Sequence, residues 1–362
     1  AVGMAFALER KRRLRLGAVD AGTLVVCSFG DGSANHSTAL GAINTACFVA
    51  HQGLFAPVLF VCEDNGLGIS QRTPKAWIES AFAHRPELAY FAGDGCDLVA
   101  AYTAAERAVR HVRTTRRPAF LHLGTVRFLG HAGSDVEAGY RTAQEMRDDF
   151  ARDPLVLSAE RLVAAGVLSV AEVLARYENA RQRVAEAAHE AVARPKLVSA
   201  AEIVAPLAPR DDAAITRVAD AMPDATERRT YWGETLPENS GGLPLGGHIN
   251  RALHDLLVQH KEACVFGEDV AKKGGVYGVT RGLFARVGPL RVFDTVIDEQ
   301  TVLGFAIGAG QAGLLPICEI QYLAYVHNAI DQLRGEAATL QFFSNGQLQN
   351  PMVVRIAGYG YQ

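Results

Sequence analysis

The chain has 362 residues, 49% hydrophobic and 21% charged, and its 36 basic and 39 acidic side chains leave a net charge of −3. That composition is ordinary for a folded chain of two or three domains and excludes a disordered one, while the balanced charge argues against a nucleic-acid partner. No apolar stretch approaches the ~20 residues of a membrane span, and the six cysteines, scattered at 27, 47, 62, 96, 264 and 318 without a C-x-x-C pair, read as reduced core thiols of an intracellular protein.

Residues 1–16, AVGMAFALERKRRLRL, begin inside an apolar helical pattern with no capping residue ahead of it, and the chain closes on PMVVRIAGYGYQ. Flanking segments are therefore expected at both ends. TLVVCSFG (23–30) is a buried-strand run that stops at Gly30-Asp31-Gly32, and residues 37–52 follow at helical spacing. PVLFVCEDN (57–65) is a second strand run ending in polar residues; helical spacing at 99–113 and the run PAFLHLGTVRF (118–128) complete a first block. Residues 154–195 are predicted helical, with Ser169 and Glu172 at capping-box spacing and Val170, Val173, Leu174, Tyr177 and Val184 on one apolar stripe. From 196 to 246 the periodicity gives way to Pro, Asp, Gly and Arg, which marks a connector. A second block follows: helix 247–260, strand 263–269, strand 291–295, helix 300–313, strand 315–320, a long helix near 324–341 and strand 351–356. Near-continuous apolar strands alternating with helices predict an α/β chain with two parallel-sheet domains, 1–153 and 247–362, joined by a helical connector over 154–246.

In a parallel sheet, ligands sit beyond the carboxyl ends of strands. Asp31 and Asn65 each follow a strand directly with one helix between them, so both can face one crevice. Glycines around Asp31 admit a bulky anion, the following helix offers its N-terminus to phosphate, and a carboxylate, an amide oxygen and the Leu67 carbonyl suit Mg²⁺. A tight turn capped by Asp and Asn is the competing reading. RFLGHAGSD (127–135) is a polar, glycine-rich loop after a strand, in which His131 is either an idle surface residue or a donor to a phosphate oxygen. Glu299 opens a helix after strand RVFDT, where a first-turn carboxylate complementing the helix dipole is the alternative to a catalytic role.

GDGSANHSTALGAINTA followed by PVLFVCEDNGLGIS resembles the diphosphate-and-metal motif of thiamine diphosphate enzymes, above all the α part of the decarboxylating component of 2-oxoacid dehydrogenase complexes. Asp64 stands where Asn is usual, and the gap between the two halves is several residues longer, around 50–56. RFLGHAGSD resembles the family's R-x-x-G-H-S-x-S-D loop, which Arg127 and Asp135 would order. Ala132 takes the place of a Ser that a dedicated kinase phosphorylates in animal relatives, which excludes that control here. Residues 294–325, with GEDV (267–270) upstream, resemble the β part of the same family, although Val296 and Asp298 replace its usual Pro and Ser.

The resemblance implies a pyrophosphate-type and then a pyrimidine-type domain, with Mg²⁺ held by Asp31, Asn65 and the Leu67 carbonyl. It places Gly30, Gly32, Ser33, His131, Glu268, Glu299, Gln321 and Tyr325 against thiamine diphosphate, and makes Glu299, as the acid on N1′ of the pyrimidine, and His131 the catalytic residues. Glu268 would belong to a supporting polar network, and for Tyr325 ordinary core packing is the alternative. The implied reaction is oxidative decarboxylation of a 2-oxo acid, with branched-chain acids favoured, and acyl transfer to the lipoyl group of a partner acyltransferase. A fused subunit of this kind implies a homodimer or larger assembly in the cytoplasm, or in the mitochondrial matrix of a eukaryote. The family's N-terminal diphosphate-binding residues and the β-part His that assists acyl transfer would lie outside these 362 residues, so this stretch alone is expected to be inactive. The rivals are a pyruvate- or acetoin-directed dehydrogenase, a transketolase-like carboligase, and a non-catalytic assembly relative.

Overall fold

Apolar runs closed by polar turns build two parallel sheets, and the strand ends decide where the candidate residues fall. The computed structural model describes residues 1–207 and 211–358; part of the connector and the closing glycine-rich turn at 359–362 lie outside the described residues. From the amino end, α1 (Val2–Leu14) leads to β1 (Val25–Gly30), α2 (Ser37–His51) and β2 (Val58–Asp64). A short hairpin of β3 (Leu67–Gly68) and β4 (Gln71–Arg72) precedes α3 (Trp77–Phe82), β5 (Ala89–Asp94), α4 (Leu98–Thr115) and β6 (Ala119–Gly124). These strands pair in the order β1-β2-β6-β5, all parallel, so their carboxyl ends share one edge.

Helix α5 (Ala143–Phe150) closes the first block, and the connector holds α6 (Pro154–Ala164), α7 (Val170–Ala193) and three short helices, α8 (Ala200–Val204), α9 (Asp212–Ala219) and α10 (Ala225–Trp232). Both bonds of the Ser169–Glu172 capping box form, and the apolar stripe of α7 carries Leu174, Tyr177 and Val184 on an exposed face. The second block runs through α11 (Leu245–Gln259), β7 (Ala263–Gly267), α12 (Leu283–Val287), β8 (Val292–Asp294), α13 (Glu299–Gln311), β9 (Leu315–Ile320), α14 (Leu340–Phe343) and β10 (Val353–Ile356). Its sheet is parallel in the order β10-β9-β7-β8.

One hydrophobic core bridges the two blocks, with Phe6, Ile43, Phe60, Phe120, Phe266, Leu303 and Phe305 all buried in it. Helices α1 and α13 cross with their backbones in contact: a side-chain carbon on Gly3 would meet the Phe305 carbonyl, and one on Gly308 would lie 2.8 Å from Met4 N. Phe6 fills the crossing against Phe293 and Phe305, with ring centroids 5.0 and 4.8 Å away. The six cysteines are free, and Cys62, Cys96, Cys264 and Cys318 are buried. Among the described residues no helix is long and apolar enough to cross a membrane.

Besides short elements such as α3, α5, α12 and the β3–β4 hairpin, three regions differ from the expected set. Strand β5 forms at the sheet edge, where LAYFAGD carries too much Ala and Gly for a strand signal. The region 324–341 is not one long helix: Leu323–Ala329 winds tightly as 3₁₀, Gln332–Ala337 widens to a π-turn and Leu340–Phe343 is α-helical. Gly335 weakens the helix from within, and tertiary anchors set the winding, because Asn328 Nδ2 donates to Glu299 Oε2 at 3.2 Å and Gln332 Nε2 to Thr38 Oγ1 at 3.3 Å. The connector also retains helices α8–α10, each with an Asp or Ser side chain accepting at its N-cap.

Candidate active site

Strand β1 ends at Gly30 and delivers Asp31 into a buried turn. One carboxylate oxygen, Oδ2, accepts from Thr73 Oγ1 at 2.8 Å, while Oδ1 is buried with no hydrogen-bond partner among the described residues. Burial holds the Asp31 carboxyl above its ordinary range, reinforced by the charge of Asp64 and opposed by the Thr73 hydroxyl and the backbone N–H of Asn65. A buried, half-satisfied carboxylate is the kind of group that a cation would complete. Asn65 follows β2 and its Oδ1 accepts from Leu67 N–H at 3.1 Å, an Asx turn that leaves a lone pair on the amide oxygen and keeps Leu67 buried beside it. Gly32 and Gly68 close the cradle, since a side-chain carbon on Gly32 would lie 2.8 Å from Gly68 Cα. Gly32 opens the 3₁₀ turn Gly32–Asn35 that feeds α2, with His36 Nδ1 capping Thr38 N–H at 3.2 Å. Among the described residues no three His, Cys, Asp or Glu gather as a metal cluster, so a metal here would rely on amide, carbonyl and ligand oxygens besides Asp31.

His131 sits exposed on its loop, and the two residues expected to order that loop do so. Asp135 Oδ2 accepts from His131 N–H at 2.7 Å and from the Tyr140 hydroxyl at 2.6 Å. Arg127 donates to Tyr140 Oη at 2.5 Å and to the Ile69 carbonyl at 2.6 Å, tying the loop to the turn that carries Leu67.

The second half-site lies at the carboxyl end of β7 and the first turn of α13. Glu299 is buried at the head of α13, with Asn328 donating to Oε2. Glu268, also buried, has an Oε1 without a hydrogen-bond partner among the described residues. Burial first, then the charges of Glu299, Asp269 and Asp298, push the Glu268 carboxyl up to about 7. Gln321 Nε2 donates to the Glu268 carbonyl at 3.3 Å, which ties the end of β9 to that of β7. Tyr325 is 45% exposed and packs edge-on to Tyr322, so it is not a core residue. The half-sites belong to touching helices: α2 meets α13 at Gly41, where a side-chain carbon would lie 2.7 Å from Asp298 Oδ2 and from Thr301 Oγ1. Between these helices lies a cavity of about 420 Å³ lined by Ser33, His36, Thr38, Gln300, Thr301 and Gly304. Thr73, Asn328 and Gly68 were not legible as site residues, because only tertiary contact brings them in.

The Glu268 carboxyl makes stability depend on pH. Its folded value of about 7 exceeds the ordinary 4.5, so between those values the native state holds a proton that the unfolded chain has lost. The contribution is complete below 4.5 and is lost as pH rises through about 7. Urea unfolding across this window is expected to show stability falling toward alkaline pH, with a flatter slope in Glu268→Gln; an unchanged slope in that variant would refute the assignment.

The family described as dehydrogenase E1 component matches residues 1–199, and the transketolase pyrimidine-binding domain matches residues 244–362. The chain belongs to the dehydrogenase E1 component family. In this E1 chain the two signatures that carry the two half-sites lie on a single polypeptide. It is 35% identical over 148 residues to the 3-methyl-2-oxobutanoate dehydrogenase subunit beta of Mycobacterium tuberculosis, covering 40% of this chain and 41% of the relative. It is 43% identical over 108 residues to the 2-oxoisovalerate dehydrogenase subunit beta of Pseudomonas aeruginosa, covering 30% and 31%. With the pyruvate dehydrogenase E1 component subunit beta of Staphylococcus epidermidis it shares 40% over 107 residues, covering 30% and 33%. The E1 chain thus spans between 31% and 41% of the length of these curated relatives. Transketolase from Leishmania mexicana shares its fold, with a TM-score of 0.50 at 15% identity over 93% of this chain and 49% of that one.

Proposed function

We propose that this E1 chain serves oxidative decarboxylation of a 2-oxo acid with thiamine diphosphate and Mg²⁺, passing the acyl group to the lipoyl group of a partner acyltransferase. The observation that carries the reading is the Asp31 carboxylate, buried at a strand end with Oδ1 unpartnered beside the Gly32–Gly68 cradle. These residues fit a metal–diphosphate group: Asp31, the Asn65 amide oxygen and the Leu67 carbonyl would hold Mg²⁺, and the N–H groups opening α2, with Ser33 and His131, would take the diphosphate. When bound, the cofactor supplies the electron sink for loss of CO₂. Glu299, buried on α13, would hold a proton against the pyrimidine ring, with Asn328 fixing its carboxyl. Glu268, whose carboxyl is pushed up to about 7 by burial and the neighbouring charges, would exchange protons beside it at neutral pH. Gln321 would keep Glu268 in place through its backbone carbonyl, and Tyr325, exposed at the head of its 3₁₀ segment, would be free to meet the ring.

Branched-chain 2-oxo acids are the favoured substrates, on the strength of EDVAKKGGVYGVT and EIQYLAY and of relatives named for 3-methyl-2-oxobutanoate and 2-oxoisovalerate. The pyruvate-named relatives keep pyruvate as the second reading. The test is 2-oxo acid-dependent reduction of an artificial acceptor by the full-length protein, with and without thiamine diphosphate and Mg²⁺. Cofactor-dependent turnover is expected, about tenfold or more faster with branched-chain acids than with pyruvate, as side-chain methylenes in an apolar pocket allow. Cofactor binding with no turnover on any 2-oxo acid would point instead to a carboligase, and no cofactor binding to a non-catalytic relative.

A further inference from the structure

The residue before Asn65 departs from the family pattern, and the structure shows what that departure contacts. Asp64 closes β2, and its carboxylate is divided between two tasks. Oδ1 accepts from Gly66 N–H at 3.0 Å, bracing the turn that presents Asn65 and Leu67, while Oδ2 lies 2.8 Å from His122 Nε2 on the neighbouring strand β6. His122 Nδ1 in turn lies 2.6 Å from the Tyr90 hydroxyl on β5, so the line of contacts crosses three adjacent strands. Because an ionised carboxylate only accepts, the neutral ring that satisfies both neighbours carries its proton on Nε2 and accepts from Tyr90 on Nδ1. Burial pushes the Tyr90 hydroxyl up to about 12, so it remains a donor at neutral pH. Tyr90 is held by stacking on Phe120 at 6.0 Å, and the Asp64 carbonyl accepts from Thr125 N–H at 2.7 Å, so both ends of the line are anchored in the sheet.

We propose that Asp64, His122 and Tyr90 form a positioning array that fixes the Asn65–Leu67 turn for Mg²⁺, with His122 compensating for the carboxylate that replaces the usual amide at 64. The inference rests on the metal role proposed above for Asn65 and Leu67. Outer partners that orient ligating groups matter for metal affinity about 10–100-fold when removed. His122→Leu leaves the Asp64 carboxylate half-paired, free to turn toward other donors and to pull on the Gly66 amide. Tyr90→Phe deletes one hydroxyl and keeps the stack on Phe120.

The experiment is calorimetric titration of Mg²⁺ into the full-length protein saturated with thiamine diphosphate. His122→Leu is expected to raise the Mg²⁺ Kd about 10–100-fold, and Tyr90→Phe to raise it less. His122→Gln, whose amide N–H can donate to Asp64, is expected to recover most of the loss. The double variant Asp64→Asn/His122→Leu is expected to bind better than His122→Leu alone, because the stranded carboxylate is gone. At saturating Mg²⁺ the kcat of each variant should match wild type, a split that general loss of structure would not give. A Mg²⁺ Kd for both His122→Leu and Tyr90→Phe within about twofold of a wild type that does bind would overturn the array while leaving the metal role intact. A wild type that binds no Mg²⁺ would overturn the metal role, and the array with it.

Discussion

Replacing Glu299 by Gln is expected to lower 2-oxo acid turnover by about 10²–10⁴-fold, the range in which positioned proton transfer contributes, while thiamine diphosphate still binds. The substitution is nearly isosteric in a buried position at the head of α13, and the Asn328 amide can donate to the Gln carbonyl as it does to Oε2. What Gln lacks is an exchangeable acidic proton. A second readout separates this from a packing defect. The Glu299 charge is the largest electrostatic contribution to the raised Glu268 carboxyl after burial itself, so its removal should bring Glu268 below about 7. The loss of stability with rising pH, which still starts near 4.5, then ends at lower pH and is smaller in Glu299→Gln than in wild type, in the chain without ligands. Wild-type turnover in this variant would remove Glu299 from the chemistry. An unmoved pH profile would show that the two carboxyls do not face each other.

The parts of this molecule that could be read from sequence are those where a local pattern and the global fold agree. Strands β1 and β2 announce themselves as apolar runs that stop at polar residues, and those stops are Asp31 and Asn65. The Ser169–Glu172 box is a local device and forms as read. Strand β5 could not be read because an edge strand needs less apolar content than a central one, and Tyr90 and Phe91 sit among Ala and Gly. The region 324–341 has helical composition, but its winding is set by where Asn328 and Gln332 must reach, and those partners lie 29 and 294 residues away. Thr73 gives no motif signal for the same reason: its contact with Asp31 spans 42 positions through the hairpin of β3 and β4. Asp64 was legible as a departure, yet its meaning was not, since His122 is reached only when β2 and β6 pair. Local chemistry thus marks the proposed ligands, while the groups that would orient them are a property of the sheet.

Asp31→Asn separates the stability of the folded chain from its capacity for ligands, and the two are expected to move in opposite directions. In the ligand-free protein the variant removes a buried charge whose Oδ1 has no partner and whose neighbour Asp64 repels it. Thr73 can still donate to the remaining oxygen, and although the amide nitrogen takes the unpartnered position, the buried charge and its repulsion by Asp64 are gone, so the ligand-free chain should gain stability. Added thiamine diphosphate and Mg²⁺ at 100-fold excess over Kd should stabilise wild type by about 2.7 kcal/mol. Losing the one carboxylate among the expected ligands weakens an oxygen cage whose affinity follows its charge. If Kd rises about 100-fold, the same ligand concentration stabilises the variant by only about 0.4 kcal/mol. Thermal unfolding of both proteins, with and without the two ligands, gives all four values. A variant less stable than wild type without ligands, and stabilised as much with them, would mean that Asp31 is a capping residue of the turn after β1 and not a seat for a cation.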